Sequence, residues 1–149
     1  MKKKMRESEF AKQFMGILKR EHVDCTRIES GTTVVGIPDL FIQGGGDDLF
    51  IELKVCNNSI HDNFIKVPWR PGQQAWLRTY YIAHNLHKSA LTVVRCNDGL
   101  LFIKHTCVYE NNIVASELHK NHYTYLPEDV IGNYYLYNFM LNFVYATVN

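Results

Sequence analysis

The chain of 149 residues is notable first for what it has little of. No apolar run approaches the roughly 18 residues that a membrane-spanning helix needs. The four cysteines, Cys25, Cys56, Cys96 and Cys107, include no C-x-x-C pair, which argues against a zinc knuckle. The basic start, Met1 to Arg6, is not followed by the apolar stretch of a secretory leader. Reduced thiols in a soluble, cytoplasmic protein are therefore expected. Gly44-Gly45-Gly46 lacks the Lys-Ser/Thr of a phosphate loop and the helix that must follow it, so no nucleotide cofactor is expected. There is no internal repeat, no low-complexity linker and no excess of one charge: the formal net charge is +1. Near-neutrality counts against a protein-wide polyanion-binding surface, but Lys2, Lys3, Lys4, Arg6, Lys12, Lys19 and Arg20 cluster near the start.

What is present is ordinary globular composition, 46% hydrophobic and 21% charged, at a length that suits one domain spanning 1–149. Phe10, Phe14, Ile17 and Leu18 recur at helical spacing and predict a helix over 7–20. A short strand is expected within 23–29 and another around Thr33–Val35, broken by Gly36-Ile37-Pro38. Leu40–Ile42 and Leu49–Val55 read as a β-hairpin around a six-residue loop, Gln43 to Asp48. Residues 56–68 read as polar and irregular. Arg70-Pro71-Gly72 introduces a helix from about Gln73 to His87, with Trp76, Leu77, Tyr80 and Tyr81 as its apolar stripe. Ala90–Cys96 and Leu100–Lys104 flank the turn signal Asn97-Asp98-Gly99. Pro127-Glu128-Asp129 resembles a helix start, and the tail from Tyr134 to Val148 fits either helix or strand.

The hairpin carries the chemistry. Symmetric pairing about its loop sets Ile42 opposite Leu49, Phe41 opposite Phe50, Leu40 opposite Ile51 and Asp39 opposite Glu52. Opposed residues share a face, and the period of two adds Lys54 to it, while Leu40, Ile51, Leu53 and Val55 form an apolar face behind. Two carboxylates that close repel unless a positive charge sits between them. A hard divalent cation, Mg2+ or Mn2+, answers this with one or two carboxylates, and the Leu53 backbone carbonyl is a further candidate ligand. Such a cation acidifies a bound water and neutralises a phosphate under attack. Lys54 is placed to hold that water or to stabilise the pentacovalent state. The plain alternative is an exposed Glu-x-Lys of solvated charge, and a register slip of one residue would separate the carboxylates.

Gly36-Ile37-Pro38-Asp39 followed by Phe50-Ile51-Glu52-Leu53-Lys54 resembles the PD-(D/E)XK nuclease superfamily. Glu7-x-x-Phe10-x-x-x-Phe14 resembles the family's first-helix glutamate. Arg27-x-x-Ser30-Gly31 and Arg70-x-x-Gln73 resemble the serine loop and the next helix start of archaeal Holliday-junction resolvases. Residues 70–77 also resemble phage-encoded VRR-NUC-type nucleases, which hints at a viral or mobile-element origin. The resemblance covers about residues 7–105, and 106–149 is an aromatic-rich extension. It implies a restriction-endonuclease-like α/β fold, a central mixed β-sheet flanked by α-helices. It further implies a Mg2+- or Mn2+-dependent, structure-selective endonuclease on branched or duplex DNA. Since each domain has one site and a junction or duplex has two strands, a two-fold homodimer is expected, with the aromatic tail as its candidate surface. In that family's terms Asp39 and Glu52 bind metal, Lys54 serves the nucleophile and Glu7 (its rival being Glu9) reaches the metal through water. Gln73 orients the site, Ser30 touches the scissile phosphate, and Arg70, Arg27, Lys2, Lys3 and Lys4 meet nucleic acid. Other nucleases on the same core, or a non-catalytic DNA-binding or host-interaction protein, are the alternatives.

His84-x-x-His87 and His119-x-x-His122 have ligand-like spacing but no third ligand, and are read as surface or helix-end histidines. Trp69 and Trp76 are candidates for stacking on bases, with Trp76 assigned rather to the core. The rings between Tyr134 and Tyr145 suit a dimer face or the core equally.

Overall fold

A computed structural model describes residues 5–28, 38–44, 47–77, 88–104, 113–115, 123–133 and 135–145. The first element is the helix expected from the periodicity, α1 (Glu7–Arg20). Phe10, Ala11, Phe14 and Leu18 form its buried stripe. Glu7 and Glu9 lie in its first turn and Lys19 and Arg20 in its last, each complementing the helix dipole. His22, at a positive φ of 60°, turns the chain away from it.

Among the described residues eight strands follow: β1 (Cys25–Arg27), β2 (Leu40–Gly44), β3 (Asp47–Val55), β4 (Phe64–Lys66), β5 (Lys88–Cys96), β6 (Gly99–Lys104), β7 (Ile113–Ala115) and β8 (Tyr123–Pro127). Six form one sheet in the order β1-β2-β3-β5-β6-β8, and β4 pairs with β7 in a separate ribbon. Only the central pair β3–β5 is parallel; the others in the main sheet are antiparallel. The chain from 56 to 87 is therefore the crossover that a parallel pair requires.

The hairpin register is the expected one, with Leu40 opposite Ile51, Phe41 opposite Phe50 and Ile42 opposite Leu49. Pairing also continues through Gln43–Asp48 and Gly44–Asp47. The expected six-residue loop is thus a two-residue connection, the length that tight hairpins favour. The β5–β6 turn is Asn97-Asp98, with Gly99 already paired to Cys96. A Cβ on Gly99 would stand 2.5 Å from the Leu126 carbonyl oxygen, so glycine is there for the close approach of β8.

Strand alternation divides the core in two. On one face Leu40, Ile42, Leu49, Ile51, Leu53 and Val55 meet Leu91, Val93, Leu100 and Phe102 under α1. The C-terminal helix α2 (Leu136–Tyr145) closes the same face. Leu136, Met140 and Val144 are its buried positions, while Tyr137, Phe139, Phe143 and Tyr145 pack partly buried around them. The Glu21 carboxylate accepts the Leu136 and Tyr137 N–H groups, both at 2.9 Å, and so fastens α2 to the end of α1. Pro127-Glu128-Asp129 leads into a 3-10 helix, Glu128–Asn133, rather than an α-helix.

On the other face Val94, Cys96, Leu101 and Ile103 are covered by Cys56, Ile60, Ile65, Val67 and Trp69. The segment 56–68, expected to be irregular, is thus partly a strand and largely a second core. Its short strand finds its partner only in β7, some fifty residues away, which local pattern does not reveal. Cys56 and Cys96 form no disulfide, and the Cys56 thiol meets the Cys96 sulfur at 3.4 Å. Among the described residues no helix is long and apolar enough to cross a membrane.

Candidate active site

The expected site lies on the second face, where the apolar covering gives way to polar groups. β2 begins at Leu40, so the next position, Asp39, stands beside β3 without being part of the ladder. Its backbone carbonyl accepts the Ile28 N–H at 2.8 Å, and its carboxylate accepts the Leu53 N–H at 2.8 Å. A strand residue's N–H and C=O project to the same side, so the Leu53 carbonyl is also turned toward Asp39. The plain reading of solvated charge fails, because Glu52 and Lys54 are each only 1% exposed.

The charged cluster is tight. Lys54 Nζ lies 3.6 Å from Glu52 Oε1 and 3.7 Å from Glu7 Oε1. Glu9 instead pairs with Arg6 at 2.9 Å on the exposed side of α1, so Glu7 is the helix glutamate brought to the cluster. Gln73, in the helical segment 73–77, is buried and bridges two elements. Its Oε1 accepts the Arg70 N–H at 2.7 Å, and its Nε2 donates to Glu52 Oε1 at 2.9 Å. The Arg-x-x-Gln spacing thus has a local cause: Gln73 closes the helix start and, with the other end of its amide, fixes Glu52. Trp76 of the same segment lies half-buried with its ring 5.2 Å edge-on to Phe50. Beside Glu52 on β5 stands Thr92, whose hydroxyl lies 3.4 Å from the Trp69 indole N–H. Trp69 is core and is not free to stack on a base. Neither Thr92 nor the covering role of Trp69 was visible in the sequence, because the β3–β5 register is set by a crossover.

Glu52 is the strained member. Burial pushes its carboxyl up to about 9, Asp39 pushes the same way by charge and hydrogen bonding, and Lys54 opposes them. With both acids ionised, Glu52 Oε2 is buried without a hydrogen-bond partner. Protonated, it can share its proton with Asp39. A divalent cation beside Oε2 and Asp39 would meet the same deficit, so these residues fit one. Among the described residues no three His, Cys, Asp or Glu side chains are gathered into a cation cage. A magnesium ion, which needs only one or two carboxylates and keeps its waters, does not require one.

Other expected positions are more dispersed. Arg27 pairs with Leu40, one position along from Asp39, and is exposed. Arg70 is exposed just before the helical segment. Ser30, Lys2, Lys3 and Lys4 lie outside the described residues, as do Cys107, the strand expected at Thr33–Val35, residues 78–87 and both His-x-x-His pairs. A groove of about 670 Å³ lined by Phe10, Phe14, Ile17, Leu100, Ile131 and Tyr135, among others, lies on the helical face. It shares no residue with the charged cluster, and its size is not a reason to move the site there.

No family model matches the chain, and no curated protein matches it. Among solved structures it is similar to Hjc, a Holliday junction resolvase from the archaeal hyperthermophile Archaeoglobus fulgidus. The two share 14% identity with a TM-score of 0.53, over 85% of this chain and 92% of that one. At that identity the likeness is one of fold, and it bears out the expected class: a mixed six-stranded sheet flanked by helices.

Proposed function

We propose that this chain is a metal-dependent endonuclease that hydrolyses DNA phosphodiester bonds, with a preference for branched DNA. One observation carries the reading: Glu52 and Lys54 are buried side by side on one strand and Asp39 approaches from the next. The fold likeness to a Holliday junction resolvase supports it. Burying such a cluster is costly, and nothing in the packing of an ordinary core requires it.

Asp39 and Glu52 would hold Mg2+ or Mn2+, with the Leu53 carbonyl as a further ligand and Glu7 reaching it through water. When bound, the ion would acidify a water and offset charge on the phosphate. Gln73 holds the Glu52 carboxylate in one orientation through its bond to Oε1. Lys54, held by Glu52 and Glu7, presents its ammonium to the attacking water or to the phosphate oxygens. Arg27 and Arg70 are exposed and would offer phosphate contacts. Ser30 is assigned to the scissile phosphate by resemblance alone. A homodimer would bring two sites to the two strands of one DNA.

The test is cleavage with magnesium on four-way, flap, linear duplex and single-stranded DNA, with light scattering on the same preparation. Cutting of the branched substrates ahead of the linear duplex is expected. Failure to cut any of them in magnesium or manganese would overturn the proposal. A monomer at micromolar concentration would remove the dimer alone.

A further inference from the structure

The crossover from 64 to 70 alternates strictly in burial. Ile65, Val67 and Trp69 are buried; Phe64, Lys66, Pro68 and Arg70 are exposed. The inward row is accounted for, since it forms the second core and reaches Thr92 beside Glu52. The outward row is not. Phe64 is 66% exposed, and a lone exposed ring would need no explanation. This ring, however, begins a row whose other members are two cations and a stiff proline. Among the described residues Lys66 and Arg70 have no acidic partner. The row ends at the site, because the Arg70 backbone N–H is held by Gln73 and Gln73 holds Glu52. Phe64–Lys66 is strand, and beyond it the Trp69 N–H bonds back to the Val67 carbonyl at 2.9 Å. The row therefore turns at Pro68 and spans less than the roughly 20 Å of fully extended chain, still the reach of a few nucleotides.

We infer that the outward row Phe64–Lys66–Pro68–Arg70 is a ridge that binds a DNA strand beside the site, with Phe64 stacking on an unpaired base. The inference rests on the nuclease reading and names its selectivity. Lys66 and Arg70 hold phosphates whatever the sequence. An aromatic ring accepts any base, but only one already freed from its own stack, such as a base at a branch point or in a single strand. The cations favour DNA over an apolar protein partner. The buried row behind holds the ridge rigid, so binding needs little further ordering.

The experiment is fluorescence anisotropy in EDTA, which separates binding from cutting. The probes are a labelled four-way junction, a single strand and a duplex of equal length. Phe64→Ala is expected to weaken the junction and the single strand by about tenfold and the duplex by less than about twofold. Phe64→Trp should restore both. Lys66→Ala should weaken all three and lower the salt slope by about one. Equal binding of Phe64→Ala and wild type, or an equal loss on all three probes, would overturn the ridge. Wild-type protein that shows the expected binding but cuts nothing in magnesium would overturn the nuclease reading and leave the ridge standing. Wild-type protein that binds none of the probes would overturn both.

Discussion

The two faces of the sheet are built from the same strands and do opposite things. On the helical face the core positions of β2 and β3, Leu40, Ile42, Leu49, Ile51, Leu53 and Val55, are all aliphatic, and α1 and α2 close over them. On the other face the alternate positions of β3 run Phe50, Glu52, Lys54, and their cover changes from apolar to polar midway. One face minimises free energy; the other holds a carboxyl whose ionised form has an orphaned oxygen. Under the proposed function, stability and chemistry would be separable by residue, one position apart along a single strand. Substitutions on the two faces should have contrasting consequences.

The largest effects are expected at the site. Under the proposed function, Asp39→Asn or Glu52→Gln should abolish cleavage while leaving the fold and DNA binding intact, because each would remove a metal ligand and some repulsion toward phosphate. A variant cutting at near the wild-type rate in magnesium would refute the assignment. Lys54→Ala should lower the rate about a hundredfold or more, the scale for one positioned electrostatic group, with metal binding retained. Calorimetry showing lost metal affinity but normal turnover per bound metal would give Lys54 a different role.

How much of this contrast was legible in the sequence depends on the range of the interaction. The extent of α1 and the β2–β3 register were legible because both are local; symmetric pairing keeps Leu40 opposite Ile51 whether the loop has six residues or two. The cluster of Asp39, Glu52 and Lys54 followed from that register, and its burial did not, since the cover comes from Gln73 and the crossover. The alternation Ile65, Val67, Trp69 was a readable strand signal, masked by the polar residues just before it. The tail was ambiguous for a definite reason. Tyr135, Tyr137 and Phe139 alternate as in a strand, while Leu136, Met140 and Val144 recur at four, as in a helix. Burial of the second set decides for the helix, and Tyr135 is left 70% exposed.

The opposite consequence belongs to the helical face. Met140 is fully buried between α2 and the sheet. Met140→Ala should cost about 2–5 kcal/mol of stability, the range for truncating a buried methionine. Cleavage per folded molecule should stay at the wild-type value. Urea unfolding and active-site titration read the two quantities separately. A loss of specific activity with unchanged stability would show that the two faces are not independent.

The last effect, the pH dependence of the metal-free protein, reports on Glu52 through stability rather than through rate. Glu52 titrates near 9 when folded, against an ordinary value of 4.5. Between those values the folded protein keeps a proton that the unfolded chain has released. Its contribution to stability is therefore full below about pH 4.5 and is lost as pH rises toward about 9. The slope from this one group is up to about 1.4 kcal/mol per pH unit. Glu52→Gln carries no ionisable proton and keeps the Gln73 contact, so its melting temperature should fall less between pH 6 and 8.5. The difference between the two proteins isolates Glu52, since every other titrating group is common to both. At pH 8 and without metal, the variant that cannot cut should be the more stable one. Magnesium should narrow the gap by replacing the proton on the wild type, and should leave Glu52→Gln little changed. Parallel melting curves for the two proteins across that pH range would mean that Glu52 is not protonated in the folded state, and that Lys54 alone compensates its charge.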